Sequence, residues 1–236
     1  MSENLILVSS VDSIKRKFKV LNVESTQPIS NTVISGGDLA WVLTDKSEFL
    51  MKLKFGFTPE YAPKRLDLLN LRTDNFQMDD DENEYDRLHY LFMKNGYSRQ
   101  LINYRCAVIV DAFLVTAPDN TNYLIHMQNK ERPFAIAGIY DSWLNFDTGL
   151  YERGFAIITV AANPMLRRIG IEHMPVIIAP KNMPIWLNKN EDRRKVFALI
   201  HTYPDETMNG YPVSGKIFSG SVSHDNLQPI GLKLKP

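Results

Sequence analysis

Residues Pro133–Trp143 read PFAIAGIYDSW, and this mostly apolar stretch is the part of the sequence that decides the fold. Within it, Phe134–Tyr140 is a short run of apolar and aromatic residues that begins directly after a proline. Runs of this kind, bounded by turn-forming residues, are typical of β-strands. The stretch therefore predicts a strand in a packed sheet.

Further runs rich in valine, isoleucine, phenylalanine and tyrosine predict strands along the rest of the chain. They are Leu39–Leu43, Phe49–Phe57, Ala107–Thr116, Tyr123–Met127, Phe155–Ala161 and Met174–Ile178. Turn residues such as Gly36-Gly37 and Pro118-Asp119-Asn120 separate them. Neighbouring strands are too close in sequence for regular βαβ units. We therefore expect an α+β fold with a curved, largely antiparallel sheet or barrel-like core.

Three segments have apolar residues at helical spacing and predict the helices that flank this core. They are Val11–Phe18, Asn83–Asn95 and Glu191–Ile200. Asp12 and Ser13 are candidate caps of the first helix. No internal repeat and no Gly/Ser-rich or Pro-rich linker divides the chain. We therefore expect a single domain that covers residues 1–236.

The charge balance argues against a surface that is basic throughout. Lys+Arg and Asp+Glu both number 27, so the formal net charge is zero, whereas proteins that bind duplex DNA usually carry a basic excess. The segment Met78–Asp86 also concentrates six acids, which is typical of a solvated loop or the start of a helix. Any contact with a nucleic acid must therefore come from a local basic patch.

The single cysteine, Cys106, lies in the apolar run CAVIVDAFLV, where we interpret it as a small buried hydrophobic residue. It has no second cysteine with which to form an internal disulfide, and no Cys/His spacing predicts a zinc site. No signal peptide and no stretch of about 18 apolar residues is present. The sequence predicts a cytoplasmic protein with no membrane partner, no metal and no cofactor, and it does not predict an oligomeric state.

Several blocks, read in order, resemble the SRAP family, the SOS response-associated peptidases that process abasic sites in DNA. The blocks are FGFTPEYA (Phe55–Ala62), LNLRTDN (Leu69–Asn75), YRCAVIVDAF (Tyr104–Phe113), PFAIAGIYDSW (Pro133–Trp143), FAIITVAAN (Phe155–Asn163), HMPVII (His173–Ile178), Trp186-Leu187 and YPVS (Tyr211–Ser214). No single block is specific. Their order and spacing over nearly the whole chain carry the resemblance.

The resemblance implies a chemistry that acts on the aldehyde of a ring-opened abasic site in single-stranded DNA. In the family, removal of Met1 exposes an N-terminal cysteine, whose amine and thiolate condense with the aldehyde to a thiazolidine. An asparagine orients the reacting groups, and a glutamate and a histidine transfer protons. The same cysteine removes any short leader peptide. A shallow basic groove with exposed aromatic residues holds the DNA strand.

This sequence departs from the family at three of the four active positions. Ser2 stands in place of the cysteine, and a hydroxyl is a poor nucleophile because its pKa is far above the thiol value of about 8.5. The glutamate position falls at Val115 and the histidine position at Ile171, whose alkyl side chains cannot transfer protons. Asn70 is retained. The neighbouring His173 takes the histidine role only if the alignment is shifted.

The resemblance also nominates residues for contact with DNA. Arg72, Arg99 and Arg105 are the candidate phosphate contacts, and Phe55 and Tyr61 are candidates to stack on a base. The alternative for both aromatic residues is packing in the core.

Three hypotheses about function follow from these residues. The first is a catalytically impaired SRAP homologue that binds single-stranded or abasic DNA weakly in the DNA damage response. The second is an active abasic-site processing protein or peptidase that uses Ser2 and His173 near Asn70. The third is a pseudoenzyme that binds a protein or small molecule in an apolar pocket at Val115 and Ile171.

Overall fold

A computed structural model describes residues 4–24, 29, 32–45, 49–73, 97–128, 132–218 and 227–234. The predicted helix Asn83–Asn95, the acidic segment Met78–Asp86 and Ser2 lie outside these residues. No helix in the described part of the chain is long and apolar enough to cross a membrane.

The described chain contains short helices and many strands. In chain order the elements are β1 (Asn4–Ile6), α1 (Val11–Phe18), β2 (Asn22–Val23), β3 (Val33–Ile34), β4 (Leu39–Leu43), β5 (Phe49–Phe55), β6 (Asn70–Arg72), α2 (Ser98–Asn103), β7 (Arg105–Val110), β8 (Ala112–Thr116), β9 (Asn122–Met127), β10 (Phe134–Asn145), β11 (Leu150–Ala161), α3 (Pro164–Arg167), β12 (His173–Pro175), β13 (Ile177–Ile178), α4 (Met183–Leu187), α5 (Arg193–Phe197) and β14 (Met208–Val213). Short 3-10 turns lie at Pro180–Asn182, Asp205–Thr207 and Gly215–Phe218.

Strands β11, β10, β7, β4 and β5 form a closed barrel. Each neighbouring pair in that order is antiparallel, and the barrel closes where β5 and β11 pair in parallel. Two glycines approach each other closely where the barrel closes. The backbone N–H of Gly56 donates to the carbonyl oxygen of Phe155, and a Cβ on Gly154 would lie 2.0 Å from the carbonyl oxygen of Gly56. The prediction of an α+β fold with a barrel-like core is confirmed.

A second, antiparallel sheet with the order β14-β9-β8-β1-β3 continues from the barrel at Asp111. This residue separates β7 from β8, so the predicted strand Ala107–Thr116 is in fact two strands in two sheets. The buried carboxylate of Asp111 accepts hydrogen bonds from the backbone N–H of Val8 and from the N–H and hydroxyl of Ser9. These bonds attach the start of α1 to the corner between the sheets.

Strands β6 and β12 flank the C-terminal end of β11 on opposite edges. Thr159 is the register partner of Arg72 in parallel β6 and of Pro175 in antiparallel β12. Strand β13 continues from β12 and pairs with β10. The predicted strand Met174–Ile178 is therefore divided between two neighbours, and it fills the gap where β10 and β11 diverge.

The helices differ from the sequence predictions mainly at their ends. Helix α1 has the predicted bounds, but its cap is Ser10, whose side chain accepts from the N–H of Ser13. Helix α5 is shorter than the predicted Glu191–Ile200, because Asp192 caps it and it ends at Phe197. The sequence did not predict α2, α3 or α4, whose 4 to 6 residues are too few to show a helical period.

Candidate active site and nucleic-acid surface

The two positions that the resemblance assigns to proton transfer lie inside the hydrophobic core. Val115 is fully buried on β8, and Ile171 is 5% exposed just before β12. Their segments are in contact, since a Cβ on Gly170 would lie 2.8 Å from the ring of Pro118. The fold therefore brings both positions to the same part of the core, and both side chains there are hydrocarbon.

The N-terminal strand leads toward the same place. Asn4, the first described residue, pairs with Leu114, the neighbour of Val115. Ser2 itself lies outside the described residues, so its role stays a prediction.

Asn70 and His173 occupy opposite edges of β11. Asn70 is the register partner of Ile157 in β6, and His173 is the partner of Ala161 in β12. Four residues along a strand correspond to about 13 Å, and the two strands are also separated by about 10 Å across β11. Both side chains are half-buried and have interaction partners of their own. This register does not bring the two residues within hydrogen-bond reach of each other.

Arg105 is a structural residue, which corrects its nomination as a phosphate contact. Its side chain is 5% exposed, and its guanidinium donates to the backbone carbonyls of Leu101, Ile102, Trp186 and Asn188. Burial lowers the pKa of Arg105 to about 10. The side chain ties α2 to α4 beneath the barrel strand β7 and is not available to DNA.

Phe55 is also a correction, because it belongs to the core and does not reach a DNA base. It is fully buried, and its ring stacks on Phe155 with centroids 5.0 Å apart and an interplanar angle of 7°. This contact lies at the parallel pairing that closes the barrel. The alternative of core packing, which the sequence left open, is the one observed for this residue.

Tyr61 and Arg99 lie on the surface, where contact with a ligand is sterically possible. Tyr61 is 62% exposed. Arg99 forms an ion pair with Glu60, donates to the hydroxyl of Tyr104 and lies 5.1 Å from the centre of that ring. The hydrogen bond to Glu60 raises the pKa of Arg99, and the same carboxylate offsets much of its attraction for a phosphate.

Sequence reasoning missed the residue that positions this surface, Asp141. It is 4% exposed, and its carboxylate accepts from the N–H of Glu60, the side-chain amide of Gln100 and the N–H of Ser142. The carboxylate thus holds the turn that carries Tyr61. A signal was present, since an acid directly after the apolar run of β10 must find donors if it is buried.

Arg72, the cation retained in the family motif, lies on the surface. It is exposed at the end of β6, and no ion pair to it occurs within the described ranges. It lies two residues after Asn70, beside the C-terminal end of β11.

Comparison with solved structures finds proteins that share this fold. A crystal structure of a protein from Bacteroides thetaiotaomicron superposes with a TM-score of 0.79 at 20% identity, covering 96% of this chain and 98% of that chain. A protein from Bordetella bronchiseptica superposes with a TM-score of 0.66 at 14% identity, covering 89% of this chain and 99% of that chain. A phage-related protein from the same organism superposes with a TM-score of 0.61 at 16% identity, covering 89% of this chain and 93% of that chain. No curated protein matches the chain.

The family follows from the sequence model of the SOS response associated peptidases (SRAP), which matches residues 4–219. The match begins with β1 and includes every strand of the barrel. It agrees with the order of blocks noted in the sequence and with the fold shared with the solved structures. The chain therefore belongs to the SRAP family.

Proposed function

We propose that this protein is an SRAP homologue that binds single-stranded DNA, including abasic DNA, without forming the thiazolidine crosslink of the family. Its role then lies in the response to DNA damage, as a non-covalent binding protein.

The burial of Val115 is the observation that carries the proposal. Val115 has no exposed surface and belongs to the apolar core, so neither a carboxylate nor solvent is present to carry a proton at the position that the resemblance assigns to glutamate. Ile171 makes the adjoining position apolar as well. General acid–base catalysis contributes about 10²–10⁴-fold to such reactions, and neither side chain supplies it.

The residue at position 2 supports the same conclusion. The amine of an N-terminal serine can form an imine with an aldehyde, but a durable ring needs a second nucleophile. A thiol supplies one because its thiolate is accessible near neutral pH, whereas an unactivated hydroxyl does not.

DNA binding is supported by Arg72 and Tyr61, which are exposed and suited to a phosphate and a base respectively. Base–aromatic stacking contributes about 1–3 kcal/mol per base. The ion pair between Arg99 and Glu60 and the zero net charge argue that the affinity is modest. Because phosphate contacts then supply most of it, binding should fall steeply with salt.

The first prediction concerns covalent chemistry. Incubated with single-stranded DNA that carries one abasic site, the wild-type protein should leave no adduct that survives denaturing electrophoresis, because Ser2, Val115 and Ile171 lack the required groups. Borohydride reduction before denaturation measures any transient imine separately. A heat-stable band in good yield without borohydride would contradict the proposal and favour the alternative in which Ser2 and His173 catalyse the reaction.

The matched control restores the family residues by Ser2→Cys, Val115→Glu and Ile171→His. If the three positions still face one site, the triple variant should crosslink to abasic single strands, while Ser2→Cys alone should do so poorly. A new buried carboxylate without a partner costs roughly a few kcal/mol, so folding is checked by circular dichroism. A folded triple variant with Met1 removed and no adduct would show that the family mechanism does not transfer to this chain.

The second prediction concerns the binding surface. Arg72→Ala should weaken binding to an intact single strand roughly two- to fivefold at low salt, and should reduce the slope of log K against log salt by about 0.7, the value of one phosphate contact. The measurement is fluorescence anisotropy of a labelled oligonucleotide at several salt concentrations. Arg16→Ala on α1 is the control, since it removes the same charge from an exposed site elsewhere. Equal effects of the two variants would mean that Arg72 is not at the interface.

A further inference from the structure

A cavity of about 730 Å³ lies on the outer face of the smaller sheet. Ile6, Ala112 and Leu124 form its floor, from adjacent strands β1, β8 and β9. Side chains alternate along a strand, so Ala112 and Val115 point to opposite faces of β8. Val115 accordingly belongs to the main core and Ala112 to a smaller cluster. The cavity therefore lies on the opposite side of β8 from Val115.

Two cations border the cavity. Arg132 and Lys233 are exposed, and in the described parts of the chain neither forms an ion pair. Both act on His126, which also lines the cavity. Burial lowers the pKa of His126, and the positive charges of Lys233 and Arg132 lower it further, whereas the hydrogen bond to the carbonyl oxygen of Met127 raises it. Among the described residues, the charged side chains that border the entrance are thus both cations.

The acidic side chain among the described residues of the cavity does not neutralise these two cations. Asp111 is the acidic residue among the described residues that line the cavity, and it is 3% exposed. One carboxylate oxygen accepts from the N–H groups of Val8 and Ser9, each at 2.6 Å, and the other accepts from the Ser9 hydroxyl at 2.6 Å. These three hydrogen bonds hold the Asp111 carboxylate at the corner between the two sheets.

The wall of the cavity suits an apolar or planar body. The rings of His126 and Tyr211 lie 5.6 Å apart at an angle of 59°, and Leu227 adds an aliphatic contact. Ligand sites of this kind are typically 300–1,000 Å³, mostly apolar, with a small number of polar groups that orient the ligand. The cavity has the size and composition of such a site.

We propose that this cavity binds a small organic anion, a monocarboxylate with an apolar or aromatic body. The carboxylate lies at the rim between Arg132 and Lys233, and the body extends over the floor toward Ala112 and Leu124. This function is distinct from the proposed DNA binding, because neither Arg72 nor Tyr61 lines the cavity.

The test uses three probes that share a naphthalene ring and differ in charge. They are the anion 1-naphthoate, the neutral alcohol 1-naphthalenemethanol and the cation of 1-naphthylmethylamine. Titration calorimetry should give a Kd of roughly 20 µM to 1 mM for the carboxylate, as expected for a ligand of this size. The alcohol should bind roughly tenfold more weakly, and the amine more weakly still. Methyl resonances of Ile6, Leu124 and Leu227 should shift with naphthoate.

The variants Arg132→Gln and Lys233→Gln separate charge recognition from apolar contact. Each should weaken naphthoate binding roughly two- to fivefold, and the pair roughly tenfold, while binding of the alcohol stays unchanged. Both residues are exposed, so the fold is retained. Lys181→Gln removes an exposed cation outside the cavity and should change neither affinity.

Three results would overturn the proposal. The first is equal affinity for the carboxylate and the alcohol, which would show that the cations do not select the ligand. The second is methyl shifts at Val115 and Ile171 in place of Ile6 and Leu124, which would place the ligand in the main core. The third is the absence of binding at millimolar naphthoate.

Discussion

Gly154→Ala is expected to lower the thermal midpoint of the protein by roughly 6–12 °C, the equivalent of about 3 kcal/mol for a chain of this size. The added methyl group would lie 2.0 Å from the carbonyl oxygen of Gly56 and 3.5 Å from that of Lys54, and both are backbone atoms that cannot rotate away. The strands β5 and β11 would have to separate where they close the barrel. The loss is measured by differential scanning calorimetry or by circular dichroism on heating.

Gly215→Ala is the matched control for this change. The same methyl group added at Gly215 meets only the side-chain nitrogen of Asn122 at 3.7 Å, an ordinary contact. Its thermal midpoint should stay within a few degrees of wild type, because substitutions away from strained or crowded sites usually change stability by about 0.5 kcal/mol or less. If Gly154→Ala also melts like wild type, the parallel pairing of β5 with β11 does not close the barrel as described.

Arg105→Met should lower the free energy of unfolding by about 3 kcal/mol or more. Methionine keeps much of the apolar stem but removes the donors that serve the carbonyls of Leu101, Ile102, Trp186 and Asn188. A buried acceptor left without a donor costs about 1–3 kcal/mol. The total loss is smaller than four times this value, because water can reach some of the four carbonyls. Urea unfolding followed by tryptophan fluorescence gives the change from the midpoint.

Arg99→Met provides the comparison, because it removes the same charge from the neighbouring surface. Its ion pair with Glu60 is about half exposed on both sides, at 48% and 50%, and exposed pairs contribute about 0–1 kcal/mol. The urea midpoint of Arg99→Met should therefore move little. Equal losses in the two variants would contradict the assignment of Arg105 as the buried clamp and Arg99 as a surface residue.

The composition of individual runs was enough to predict most strands, and the order and spacing of the blocks indicated the family. Apolar runs such as Phe134–Tyr140 become strands because their side chains have a core to enter, and β10 does contain this run. Helix α1 was predicted with the observed bounds because its period and its polar start are local properties. The expectation that alkyl side chains at Val115 and Ile171 replace the family's acid and base rests likewise on residue type and on the resemblance, and it needs no coordinates.

Whether residues of the same type, or of the same motif, are buried or exposed depended on the tertiary structure. Arg99 and Arg105 were both candidate phosphate contacts in the sequence, yet only Arg105 is buried, because carbonyls from two separate helical segments meet at its guanidinium. Phe55 and Tyr61 come from one motif, and only Phe55 faces a partner strand, where it stacks on Phe155.

The division of Ala107–Thr116 into two strands, and the need for glycine at position 154, also arise from contacts between distant parts of the chain. The break at Asp111 depends on donors from Val8 and Ser9, and the crowding at Gly154 depends on the approach of Gly56. Local sequence determines whether a segment forms a strand, since backbone and side-chain preferences act over a few residues. Which side chain is buried, paired or free for a ligand is determined only when segments far apart in sequence pack together.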